Sequence, residues 1–198
     1  MRLKYILFSL LISALSFTSY AEKPVSAHVK AHSRQLAKQQ KLDQSTISSM
    51  MRNDLVEREA AHSLSVKSSK MIDDLLSEAH RYIGRPYVHG AKGPKAFDCS
   101  GFTSYVYKQF GYNISPASRA QFTLGTKVAK NDLRKGDLVF FTSRSSGKNV
   151  GHVGIVVSAD NEKGTFKFIH ASIKGVKVSN FAGYYVPRYL GARRLIEN

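Results

Sequence analysis

Apolar residues recur at helical period in Met71, Ile72, Leu75, Leu76, Ala79 and Ile83, and Gly84 with Pro86 closes the run. The spacing predicts a buried helix over 71–83. A second helix is expected to start at Asp98, a favoured N-cap residue, to carry Phe102, Tyr105, Val106 and Phe110 on one face, and to stop at Gly111. A third, shorter helix is expected over 116–124. After Gly136 the pattern changes to β-branched and aromatic runs over 137–141, 150–157, 165–171, 176–179 and 190–195, separated by Gly, Asn, Asp and Ser. Helices first and strands afterwards predict an α+β domain built on an antiparallel sheet.

Residues 22–70 have a different character, with no glycine, no Phe, Tyr or Trp, and one proline, Pro24. This arm has little to bury. Ile47, Met50, Met51, Leu55 and Val56 fall at helical spacing and predict a short helix over 46–61, with the first part of the arm disordered. Two readings stand, a helical arm lying on the domain that follows and a solvated spacer. Before the arm, Met-Arg-Leu-Lys leads into an apolar run over 5–17, and Ser19 and Ala21 occupy the −3 and −1 positions of a cleavage site. Residues 1–21 therefore read as a signal peptide, because a spanning helix needs about 18 to 20 apolar residues. Export to the periplasm or cell envelope is expected. No cysteine near Ala21 offers a lipid acceptor, and no integral membrane segment is expected after cleavage. The organisation is then signal peptide 1–21, polar and partly helical arm 22–70, and one domain over 71–198.

Charge and cysteine content narrow the partners. The chain has 30 Lys and Arg against 14 Asp and Glu, a net charge of +16, and loss of Arg2 and Lys4 with the leader still leaves 28 against 14. Such an excess attracts polyanions. Nucleic acid is not an expected partner, since no nucleic-acid-binding motif is present and export conflicts with it. Cell-wall polymers and anionic surfaces are what an exported basic protein meets. With one cysteine the chain closes no intrachain disulfide, so the domain must rely on an ordinary core, and its 128 residues are enough to build one. His28 and His32 have the i, i+4 spacing of helical metal ligands but lack a third ligand, so neither metal nor cofactor is expected. Nothing in the sequence sets an oligomeric state.

Cys99 lies in Phe97-Asp98-Cys99-Ser100-Gly101, in the first turn of the second helix. A polar, tight turn is an unusual place for a packing cysteine, which makes Cys99 a candidate nucleophile. Its ordinary pKa of about 8.5 leaves few thiolates at neutral pH, so the site is expected to favour the anion. First-turn amides and the helix dipole contribute about 0.3 to 1 kcal/mol to that end. Gly101 allows a substrate or a neighbouring backbone to approach. Two histidines lie in strand-like segments, His152 in Gly-His-Val-Gly and His170 in Phe-Ile-His-Ala. A hairpin loop over 158–164 is centred on Asn161, so facing residues have numbers summing to 322, as 152 and 170 do. The rings are expected directly opposite each other on one face, with Cβ atoms about 4.5 to 5.5 Å apart. His170 on the far nitrogen of His152 would select the tautomer whose near nitrogen faces sulfur.

The segments Arg85-Pro-Tyr-Val-His-Gly, Phe97-Asp-Cys-Ser-Gly-Phe, Gly136-Asp-Leu-Val-Phe-Phe, Gly151-His-Val-Gly-Ile-Val-Val, Phe168-Ile-His-Ala and Tyr189-Leu-Gly-Ala-Arg-Arg occur in this order. Over about 75–195 the chain resembles the NlpC-type, papain-like cell-wall cysteine peptidases. The resemblance implies a nucleophile-bearing helix packed on an antiparallel sheet, with Cys99 as nucleophile, His152 as base and His170 as the orienting third residue. It implies that the Tyr87 hydroxyl joins the Cys99 amide in an oxyanion hole. Asp98, Ser100 and Ser118 are the substrate contacts it suggests, and Gln121 matches a family glutamine. The departure is at His89-Gly90-Ala91, where the family commonly has an aromatic or apolar residue and two glycines. The implied substrates are peptidoglycan stem peptides, cut between γ-D-glutamate and the diamino acid. The alternatives are cleavage of the D-alanyl cross-link to the diamino acid, or a basic wall-binding module without catalysis.

Overall fold

The computed structural model describes residues 26–197, so the expected leader over 1–21 lies outside the described residues. Helix α1, Ala27–His80, is one continuous element of 54 residues. It joins what the pattern split into a helix over 46–61 and another over 71–83, and it includes arm residues from Ala27 onwards that were expected to be disordered. The reason is local, for no glycine or proline interrupts the chain between Pro24 and Gly84. Only its last turns bury side chains, through Ile72, Leu75, Leu76 and Ala79. The arm's apolar positions are exposed, Met50 at 65%. Two compact units divide at Asp54 and Leu55, and in the first the described residues are helical except for Ser26. Among the described residues no helix is long and apolar enough to cross a membrane.

Helix α2, Cys99–Lys108, buries Phe102, Val106 and Tyr107, while α3, Ser118–Gln121, is a single turn inside the expected span. Six strands follow: β1 Thr126–Val128, β2 Leu138–Thr142, β3 Val150–Asp160, β4 Thr165–Ser172, β5 Gly175–Asn180 and β6 Tyr189–Arg194. They form one sheet in the order β1-β6-β2-β3-β4-β5, with each neighbouring pair antiparallel. Both sheet faces are covered. Leu138, Phe140, Val153 and Ile155 share a core with Leu75 and Phe102 of the helices. Val139, Phe141, Val156 and Phe168, of opposite parity, pack with Phe166 and Phe181. Each fully buried side chain of this kind contributes about 1.5 to 3 kcal/mol, which accounts for stability without a disulfide.

A buried ion pair ties the start of β2 to the end of β6. Arg194 donates from Nε to Asp137 Oδ1 and from a terminal nitrogen to Oδ2, both at 2.9 Å, and the same nitrogen donates to the Asp132 carbonyl at 2.8 Å. The carboxylate is 1% exposed and the arginine 7%. Removing one member of such a pair costs about 3 to 5 kcal/mol.

Candidate active site

Asp98 is the N-cap of α2, with extended backbone at φ −92° and ψ 177°. Its Oδ1 accepts from the Gly101 amide at 2.6 Å and its Oδ2 from the Gly90 amide at 3.0 Å. The Ser100 hydroxyl donates to the Pro116 carbonyl at 2.9 Å and approaches Asp98 Oδ1 at 3.3 Å. Both side chains thus spend their polar atoms fixing the turn that presents Cys99. Gly101 answers to a neighbouring backbone, since a Cβ there would lie 2.2 Å from the Ala91 carbonyl oxygen. The His89-Gly90-Ala91 segment therefore braces the helix start. Gln121 is fully buried and donates to the carbonyls of Ser100 and Ser115 at 3.1 and 2.7 Å while accepting from Thr103 at 2.8 Å, which makes it a strut between α2 and α3. Ser118, half-buried, lines the groove over Cys99.

Tyr87 is held beside Cys99 by backbone. The Phe97 amide donates to Pro86 at 3.1 Å and the Val88 amide to Phe97 at 3.0 Å, so the Tyr87 segment runs alongside the approach to α2. The tyrosine is half-buried and lines the same groove. Burial, with the nearby Cys99 and Asp98, raises its pKa and keeps the hydroxyl protonated as a donor.

The two histidines meet, by a different register from the one expected. The turn-proximal pairs of β3 and β4 are Asp160 with Thr165 and Ala159 with Phe166, and a bulge between Val156 and Ser158 shifts the pairing to Val156 with Phe168 and Ile155 with Ile169. Continued, this register sets Gly154, not His152, opposite His170. An offset of two residues keeps both rings on one face, as diagonal neighbours. His152 Nε2 lies 2.8 Å from His170 Nδ1, with the rings 86° apart in plane. Gly154 makes the diagonal possible, because a Cβ there would meet the Phe168 ring at 2.7 Å and the His170 Cβ at 3.1 Å. His170 is fully buried, packs on Phe168 at 4.7 Å between centroids, and turns Nε2 towards the Ser179 hydroxyl at 3.0 Å.

The electrostatics oppose an ion pair at rest. Burial is the main force raising the Cys99 thiol, Asp98 adds to it, and the Val153, Ser100 and Cys99 amides directed at sulfur pull the other way. Burial lowers His152 to about 4. Burial, then His152 and Lys177, lower His170 to about 2. The expected bias towards thiolate is thus outweighed, and the thiol and both imidazoles are neutral at rest. The Val153 amide directed at sulfur brings Cys99 to the strand residue that follows His152.

Cys99, His152, Tyr87, Asp98, Ser100 and Ser118 all line one groove of about 770 Å³. Arg119, Arg144, Lys174 and Lys177 line it too, and among the described residues Asp98 is the only carboxylate of the lining. Among the described residues no cluster of three or more His, Cys, Asp or Glu side chains is arranged to hold a metal.

The NlpC/P60 family profile matches residues 84–194, more than half of the chain. This chain belongs to the NlpC/P60 family. The probable endopeptidase p60 of Listeria grayi is 40% identical over 126 residues, covering 64% of this chain and 23% of that protein. A probable endopeptidase of Corynebacterium glutamicum strain R is 35% identical over 139 residues, covering 70% of this chain and 61% of the relative. The chain therefore spans less than two thirds of either relative. A crystal structure of an NlpC/P60 family protein from Bacillus cereus superposes with a TM-score of 0.57 at 32% identity, covering 64% of this chain and 40% of that one. The fold, an NlpC/P60 helix packed on a six-stranded antiparallel sheet, is the one expected.

Within this NlpC/P60 domain, three residues around the histidines were not singled out from sequence. Gly154 lies in the Gly-His-Val-Gly segment, where the second glycine was a readable signal of close approach. Ser179 shares a face with His170 because β5 pairs Ser179 with Phe168 and Lys177 with His170. Tyr185 comes from the 3-10 turn Gly183–Arg188, and no local pattern ties it to the site. His152 engages His170 through Nε2, and Nδ1 is its other ring nitrogen.

Proposed function

We propose that the protein is a peptidoglycan endopeptidase that cuts stem-peptide amide bonds through a thioester on Cys99. The observation that carries this reading is the convergence of Cys99, His152 and Tyr87 on one groove, with His170 bonded behind His152. His152 Nδ1 takes the thiol proton as sulfur attacks the carbonyl carbon. The oxyanion is met by the Tyr87 hydroxyl and the Cys99 amide. The C–N bond then breaks and His152 returns the proton to the leaving amine. Water, deprotonated by His152, attacks the thioester, and the sulfur leaves with that proton as thiol. Because the thiol starts neutral, proton transfer and attack are coupled, and the buried imidazole is charged only while the oxyanion exists.

The substrate class follows from charge. Arg119, Arg144, Lys174 and Lys177 around the groove suit peptides rich in carboxylates, as stem peptides are, and the excess of 28 basic over 14 acidic residues after the leader favours the wall as a whole. The bond proposed is that between γ-D-glutamate and the diamino acid, and the setting proposed is the periplasm or cell envelope. Digestion of purified sacculi by wild type and by Cys99→Ala tests the reading. The wild type should release muropeptides whose masses identify the bond, and Cys99→Ala should be slower by at least about 10³-fold. Equal release by the two proteins would end the proposal.

A further inference from the structure

At His170 Nε2, away from His152, stand two hydroxyls that the reaction does not consume, Ser179 and Tyr185, the second of which also lines the groove. Ser179 Oγ is 3.0 Å from His170 Nε2, and the Tyr185 hydroxyl is 3.4 Å from the same nitrogen. The Tyr185 ring stands edge-on to His170 at 5.6 Å and 83°, wedged against Phe141 and Phe168 at 5.2 and 4.9 Å. These contacts hold the phenol in one place.

The single proton between the two rings decides whether His152 is a base. If it sits on His152 Nε2, Nδ1 carries a lone pair and can receive the thiol proton. Were it on His170 Nδ1, the neutral His152 would carry its own proton on Nδ1 and have nothing with which to accept another. The productive arrangement needs His170 as the Nε2–H tautomer, and therefore an acceptor at Nε2. Ser179 stands there at hydrogen-bond distance. Burial raises the Tyr185 phenol although Ser179 lowers it, so it keeps its proton, and with both hydroxyls set at Nε2 the productive arrangement needs the phenol to donate to Ser179 Oγ. A serine oxygen receiving that proton retains a lone pair for the imidazole N–H. The reverse orientation, with Ser179 donating to Nε2, would put the proton on the wrong ring.

We infer that Ser179 and Tyr185 form a hydroxyl anchor that sets the tautomer of His170 and, through it, directs the lone pair of His152 Nδ1 towards Cys99. Both are positioning residues. The catalytic part of the inference rests on the peptidase reading above. The other titratable groups facing His170 are His152 and Lys177.

The test combines imidazole ¹⁵N spectra of the histidine-labelled full chain with kinetics on a purified muropeptide. The double variant Ser179→Ala with Tyr185→Phe should lose the pure Nε2–H signature of His170 and show about a 100-fold lower kcat, with KM within about twofold. Ser179→Thr restores a hydroxyl and should stay within about threefold of wild type. If the double variant fails to fold, Tyr185→Phe alone, which removes one oxygen, should lower kcat about tenfold and perturb the same resonance. An unchanged tautomer, or an unchanged kcat, overturns the inference. Failure of the underlying reading looks different, because Cys99→Ala would then keep its activity while the spectra still report whether the hydroxyls govern His170.

Discussion

His152 and His170 are joined along a diagonal, Nε2 to Nδ1 at 2.8 Å, while Gly154 occupies the position across from His170. The glycine is therefore part of how the two rings meet. A methyl group at 154 would stand 2.7 Å from the Phe168 ring and 3.1 Å from the His170 Cβ, so one of them must move. Gly154→Ala should lower kcat by about 100-fold, as expected for small displacements of reacting groups. The accompanying loss of stability should be about 1 to 3 kcal/mol. Kinetics on muropeptides and urea unfolding give the two numbers, and a variant with wild-type kcat would remove Gly154 from the account.

Cys99 is held above the ordinary thiol range by burial and by Asp98, while His152 is lowered to about 4. No thiolate–imidazolium pair should therefore accumulate in the weakly acidic range. Alkylation of Cys99 by iodoacetamide is expected to climb by about tenfold per pH unit through neutrality and to continue rising above pH 8. A rate plateau between pH 5 and 7 would mean that the anion already prevails there, contrary to the burial argument.

His170 carries a pH cost for the fold. Its folded pKa of about 2 lies below the unfolded value of 6.5, so near pH 5 the unfolded chain binds a proton that the native protein refuses. The stabilisation is complete above pH 6.5 and is lost progressively as the pH falls towards the folded value. Between pH 7 and pH 5 this residue alone should remove about 2 kcal/mol. Urea unfolding at the two pH values should show that loss in wild type and a smaller one in His170→Gln; equal losses would contradict the assignment.

Much of the fold was legible because the strands carry alternating or continuous β-branched and aromatic runs, as Val150–Asp160 does in reaching from the groove to the hairpin. Strand β1 was not, since Val128 is its only buried residue and pairing with β6 is what defines it. The stretch from His62 to Lys70 lay outside both expected helices because it carries little apolar periodicity, yet a chain without glycine or proline there stays helical. Asp98 was legible as a cap because capping is local. The histidine register was half-legible: parity follows from alternation, but the bulge near Val157 leaves no trace in residue type. Ser179 and Tyr185 reach His170 only through tertiary folding.

The Asp137–Arg194 pair also sets where the domain can be trimmed. Arg194 closes the last strand, and Ile196, 6% exposed, still belongs to the main core. A truncation that stops short of residue 194 would strand an interior carboxylate without its counter-ion and unlatch the end of β6 from the start of β2. The C-terminal boundary of an independently folding fragment is thus dictated by charge pairing and not by the position of His170.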